Sequence, residues 1–142
     1  MRKEHKMIGK PLQRLGLTYF LLNIPGAILG TLMLIYPLGA LFEGNWGVLG
    51  LIPVYIFGMY LFTRYFRMGI AKDQNLIQAK RAWMMTFIYN FGGLVLMLAT
   101  QIFPMAIYPL LGTGFGLLGL KLVNEQLEEF TTEDEPIVTA NS

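Results

Sequence analysis

The stretch GTGFGLLGLKL, from Gly112 to Leu122, holds Gly114, Gly116 and Gly119 in the spacing G-x-G-x-x-G. In a dinucleotide-binding turn such glycines let backbone N–H groups approach a pyrophosphate at a helix N-terminus, but only after a strand in an α/β domain. No strand pattern precedes this stretch, and it lies inside a long uncharged apolar run. Within that run Gly112 and Gly116 form a G-x-x-x-G step, and Gly26 and Gly30 form another. Small residues at this spacing let helices approach closely in lipid, where dispersion and shape replace the hydrophobic effect. These four glycines are therefore expected to pack helices, against either this chain or a second protein.

Little else in the apolar runs could do chemistry. There is no cysteine, which excludes disulfides, thiolate metal sites and cysteine catalysis, and the only histidine, His5, sits in a charged arm. No Asp, Glu, His, Lys or Arg lies deep in an apolar run, and Glu43 falls in a connection beside Asn45 and Trp46. An ionisable residue at mid-membrane is the usual mark of a proton or ion pathway. Its absence argues against a proton-coupled pump and against an enzyme, and no cofactor or metal site is expected. The candidates that remain are two asparagines, Asn23 and Asn90, each followed by a helix-weakening element, Pro25-Gly26 or Gly92-Gly93. They read either as a polar intramembrane pair lining a ligand or ion site, or as structural contacts that register two helices.

The elements that must carry these residues follow from charge distribution. Of 142 residues 54% are hydrophobic and 14% charged, and the charges are clustered. Leu15 to Phe42, Gly44 to Thr63 and Ala82 to Leu120 contain none. A bilayer core of roughly 30 Å takes about 20 apolar residues per helix, so the expected fold is an all-α integral membrane protein with four transmembrane helices. The first apolar segment is too long for a signal peptide and is read as a span. Helices are expected at about Pro11 to Tyr36, with Pro37 marking an exit; at Trp46 to Met68, with Gly69 as a C-terminal stop; from Asp73, acting as a cap, to Phe103; and from Ile107, with Pro109 in the first turn. The fourth leaves the membrane at Lys121 and continues outside, with Val123, Leu127 and Phe130 on one side and Glu125, Glu128 and Glu129 on the other; disorder is expected after Phe130.

Arg2, Lys3, Lys6, Lys10 and Arg14 precede the first span, and Arg64, Arg67, Lys72, Lys80 and Arg81 surround the middle connection, whereas the other two connections carry no basic residue. The positive-inside rule then places both termini in the cytoplasm. The layout is a basic cytoplasmic arm (1–14), a first transmembrane hairpin (15–68), a basic cytoplasmic loop (69–81), a second hairpin (82–121) and an acidic cytoplasmic tail (122–142). Trp46, Trp83, Arg14 and Arg81 are expected as interface anchors, as are Tyr36, Tyr65, Phe66, Phe103 and Tyr108. The basic face suits anionic lipid on the cytoplasmic side, and no nucleic-acid partner is expected.

A shift of 67 residues aligns Arg14 with Arg81, Phe20 with Phe87, Asn23 with Asn90, Gly26 with Gly93, Leu29 with Leu96, Ile35 with Ile102 and Pro37 with Pro104. The match is ungapped and includes Arg, Asn, Gly and Pro, so it reads as two tandem helical hairpins forming a parallel internal repeat. On this reading Asn23 and Asn90 lie at similar depth.

Small size, four spans and packing glycines favour a protein that works by contact: an accessory or assembly subunit, or a scaffold, of a larger membrane complex or a homo-oligomer. The alternative is a small transporter or channel protomer with Asn23 and Asn90 in its pathway. The four spans, the aromatic-glycine start NWGVLG and the basic loop ending in AKRAW are similar in arrangement to ATP synthase subunit I proteins, over roughly residues 15–121. The resemblance implies an assembly role and assigns no residue, since Asn90 stands where that family has a charge in its third helix. A prokaryotic plasma membrane is the expected location.

Overall fold

The computed structural model describes residues 6–101 and 106–134, and these are helical apart from short connections and one isolated bridge. The helices are α1 (Lys10–Leu41), α2 (Leu51–Phe66), α3 (Leu76–Ala99) and α4 (Ile107–Asp134). A 3-10 turn, Trp46–Gly50, leads into α2, and a π-helical turn, Arg67–Ala71, follows it. Among the described residues four helical segments are long and apolar enough to cross a membrane: Lys10–Ile35, Trp46–Ala71, Leu76–Ala99 and Ile107–Thr132. The chain divides into two compact units, one spanning Gln13–Lys72 and the other joining the residues up to Leu12 with those from Asp73 onward.

In the Gln13–Lys72 unit, α1 and α2 make an antiparallel hairpin whose closest approach is near their basic ends. A Cβ at Gly69 would lie 2.5 Å from the Leu17 backbone, and one at Gly16 would lie 2.7 Å from Met68 Cβ. Glycine is needed at both positions because the helices touch there. Gly69 is thus a contact residue and not the expected helix stop. The helix instead loosens into the π turn and ends at Lys72, whose φ of 55° takes the left-handed position. Further along, Tyr19 meets Tyr65 edge-on with ring centres 4.7 Å apart, and Phe20 stacks on Phe62 at 4.7 Å. Higher still, the Thr31 and Tyr55 hydroxyls are hydrogen-bonded at 2.7 Å.

The other end of α1 corrects the expectation that Pro37 marks an exit. The helix runs through Pro37 to Leu41 and is closed by a turn in which the Gly44 N–H donates to the Leu41 carbonyl, with Gly44 at φ 86°. Proline removes one helical hydrogen bond, which a long apolar helix can absorb, whereas Gly44 takes the left-handed conformation at little cost.

In the second unit α3 starts at a capping box and not at Asp73. Asn75 is the N-cap: the Gln78 N–H donates to Asn75 Oδ1 at 2.9 Å, and the Asn75 N–H donates to Gln78 Oε1 at 3.2 Å. The reciprocal pair satisfies two backbone donors, which a lone aspartate two residues earlier cannot do. The helix therefore begins inside the segment 69–81 read as a loop, and it ends at Ala99, where Gln101 adopts φ 60°. The expected end at Phe103 lies outside the described residues, as do Arg2, Lys3 and His5 of the arm. In α4 Pro109 occupies the first turn, as expected, and the helix extends through Thr131 to Asp134, four residues beyond the expected onset of disorder. The rest of the acidic tail is also outside the described residues.

Candidate functional site

The candidate residues of the second unit converge on the seam between α3 and α4. Along α4 the buried positions are Pro109, Gly112, Gly116, Gly119 and Val123, a spacing of alternating three and four that keeps one face of a helix turned to its neighbour. Along α3 the buried positions are Leu76, Ala79, Ala82, Trp83 and Thr86. The two faces interlock small against large. Gly119 receives the Trp83 indole, Gly116 lies against Phe87, Gly112 against the Asn90 amide, and Pro109 covers Gly93. A Cβ at Gly116 would lie 2.8 Å from the Phe87 backbone nitrogen, so no larger residue fits without displacing backbone. Gly114 faces open space, as does Gly92 on α3. The three glycines of the G-x-G-x-x-G spacing thus divide between two faces of one mid-chain helix, and no N-terminal phosphate cradle exists there.

Asn90 and Asn23 make the same local bond. Asn90 Nδ2 donates to the Thr86 carbonyl at 2.8 Å, and Asn23 Nδ2 donates to the Tyr19 carbonyl at 2.7 Å. Each amide reaches back one turn to its own helix, which satisfies a donor that would be costly in hydrocarbon. The two asparagines belong to different compact units. The remaining expected residues scatter: among the described residues nothing stands within 4 Å of a Cβ placed at Gly26 or Gly30, so that G-x-x-x-G step packs no helix there. Trp46 is 71% exposed at the start of its 3-10 turn, and Arg14 and Arg81 are exposed. Trp83, expected as an interface anchor, is 0% exposed. The hole left by Gly119 draws the indole into the seam, so it is a packing residue.

No family model, curated protein or solved structure matches this chain.

Three features, one in the first unit and two in the second, are not anticipated from the sequence. The Thr31–Tyr55 hydroxyl pair could have been suspected only by pairing two helices in register. Gly119, by contrast, is expected to pack together with Gly112, Gly114 and Gly116, and of these only Gly114 has no neighbour. Gln126 holds the N-terminal arm: the Gly9 N–H donates to its Oε1 at 2.9 Å, and its Nε2 donates to the Met7 carbonyl at 3.2 Å. Gln74 is 0% exposed, and neither amide atom has a hydrogen-bond partner among the described residues. Among the described residues no group of three or more His, Cys, Asp or Glu side chains could hold a metal ion.

Proposed function

We propose that the protein is a non-enzymatic accessory or assembly subunit, or a scaffold, that works within a larger assembly in a prokaryotic plasma membrane. The observation that carries this reading is how the intramembrane polar groups are spent. Asn23 and Asn90 each donate to a carbonyl of their own helix, and Asn90 is packed on Gly112. Such contacts fix helix register; a permeation or substrate site would keep polar groups turned to a cavity. The Gly26 and Gly30 step on α1 supports a contact role, because among the described residues nothing lies within 4 Å of a Cβ at either position.

The remaining parts of the proposal concern orientation and origin. Both termini are cytoplasmic, with Lys10, Arg14, Lys80 and Arg81 exposed for anionic lipid headgroups. The Gly9 to Gln126 hydrogen bond supports equal sidedness, because residues before α1 and near the end of α4 meet. The two hairpins are a duplicated unit. Leu12, Leu15, Gly16 and Tyr19 are buried on α1, and Ala79, Ala82, Trp83 and Thr86, each 67 residues later, are buried on α3. The correspondence lapses at Ala99, where α3 stops while α1 continues past the matching Leu32. Ile102 and Pro104, two of the matched residues, lie outside the described part.

The test is purification from native membranes in mild detergent, with mass spectrometry of co-purifying chains and the native mass of the particle. A fixed-stoichiometry complex that fails to assemble in a strain lacking this chain is the expected result. A pure homo-oligomer whose flux in liposomes is abolished by Asn23→Ala with Asn90→Ala would replace this proposal with the transporter or channel reading.

A further inference from the structure

We propose that Lys6–Gly9 is a releasable strap, clasped by Gln126 and held short of full stability by the buried amide of Gln74. The strap ties together three distant parts of one compact unit. Its backbone runs antiparallel to the start of α3: the Ile8 N–H donates to the Gln74 carbonyl at 3.2 Å, and the Leu76 N–H donates to the Lys6 carbonyl at 2.9 Å. On its other side Gln126 of α4 behaves like a third strand compressed into one side chain, accepting from Gly9 and donating to the Met7 carbonyl. The Lys6 ammonium lies 4.2 Å from the centre of the Phe130 ring, one helical turn beyond Gln126. The contact between Gly9 and Gln126 closes a chain separation of 117 residues. That clasp can form only once α4 is in place, whereas the bonds to Gln74 and Leu76 need only the start of α3.

Two features mark the strap as poised between states. Its clasp is accessible on one side, since Met7 is 52% exposed and the Gln126 to Met7 bond lies at the surface, while Ile8 and Leu76 of the inner bonds are buried; segments held by exposed bonds open below the cost of global unfolding. The closed state also carries a penalty. Gln74 supplies its carbonyl to the strap while its own side-chain amide is buried without a partner among the described residues. An orphaned buried amide disfavours the state that buries it. Opening would let Gln74 regain a partner, and it would widen a shallow groove that already lies beside the closed strap, lined by Gly9, Leu12, Leu122, Gln126 and Phe130. Clasp and penalty oppose one another, and that opposition makes the idea testable in two directions.

The experiment is amide hydrogen exchange on the full chain in lipid nanodiscs, read at Ile8, Gly9 and Leu76. The amides of Phe87 to Asn90 in the α3–α4 seam serve as the folding control. In Gln126→Leu the three amides should exchange together at least about fivefold faster, the loss of one to two net hydrogen bonds. In Gln74→Met, which keeps length and removes the orphaned amide, all three should slow together. Should Gln126→Leu disturb the seam amides, Gln126→Glu is read in its place, because it keeps the acceptor for Gly9 and deletes the donor to Met7. Acceleration of Gly9 alone would overturn the strap as a unit. Unchanged or faster exchange in Gln74→Met would overturn the poise.

Discussion

At the scale of single residues, the glycines of α4 are separated by what they face, and this ranks their substitutions. Gly114 faces open space, so Gly114→Ala should be neutral or slightly stabilising, since alanine costs less backbone entropy in a helix. Gly116 faces the Phe87 backbone, which cannot swing aside, so Gly116→Ala should cost about 1–3 kcal/mol by overpacking. Gly112 faces the end of the Asn90 side chain, which can rotate, so Gly112→Ala should fall between the two and weaken the Asn90 to Thr86 bond. Reversible unfolding in mixed micelles would measure all three; equal losses at Gly114 and Gly116 would contradict the seam. Tyr55→Phe removes one partner of the Thr31 hydroxyl, and the same assay should give a loss of about 0.6 kcal/mol, the average for such contacts in membranes. Of the two G-x-x-x-G steps, the spacing pointed to a packed face at Gly112 and Gly116, while Gly26 and Gly30 meet no neighbour among the described residues. The facing partners were not legible, because Gly26 and Gly112 look alike in sequence while one is open and the other is filled.

At the scale of elements, helix existence was legible and helix ends were not, for a physical reason visible at α3. Uncharged length fixes a span, but an end is fixed by one or two side chains competing for the same orphan backbone donors. Asp73 and Asn75 are both good capping residues by type, and only Asn75 has a glutamine three positions on to complete the box. Asn75→Ala should therefore cost about 1 kcal/mol and raise hydrogen exchange in the first turn of α3, while Asp73→Ala should leave those amides nearly unchanged. The reverse order would return the cap to Asp73. At α2 the misreading had another cause: Gly69 has the type of a C-terminal stop, but its missing side chain is used by Leu17. Lys72 then bears the left-handed turn, so Lys72→Gly should stabilise the hairpin by a few tenths to about 1 kcal/mol.

At the scale of the whole molecule, four helices able to span a membrane follow from the clustering of few charges, and the proposed orientation rests on that same clustering. The connection holding Glu43 has no basic residue, whereas Lys80 lies in the first two turns of α3 and Glu128 in the last two turns of α4. Contacts such as Gln126 with Met7 were invisible beforehand, because a glutamine in a polar tail carries no periodic signal and its partner is more than a hundred residues away. Orientation is testable with unusual economy, since the chain has no cysteine and any introduced thiol is the sole target of a maleimide. In intact cells Glu43→Cys should label with an impermeant maleimide, while Lys80→Cys and Glu128→Cys should label only after permeabilisation. All three sites are exposed, so failure to label reports the membrane barrier and not burial in the protein. If Glu128→Cys labels from outside and Glu43→Cys does not, the basic segments face outward and anionic lipid of the cytoplasmic leaflet loses its role. If Lys80→Cys and Glu128→Cys label from opposite sides, the number of crossings between them is odd, so only one of α3 and α4 crosses and the second hairpin is not transmembrane.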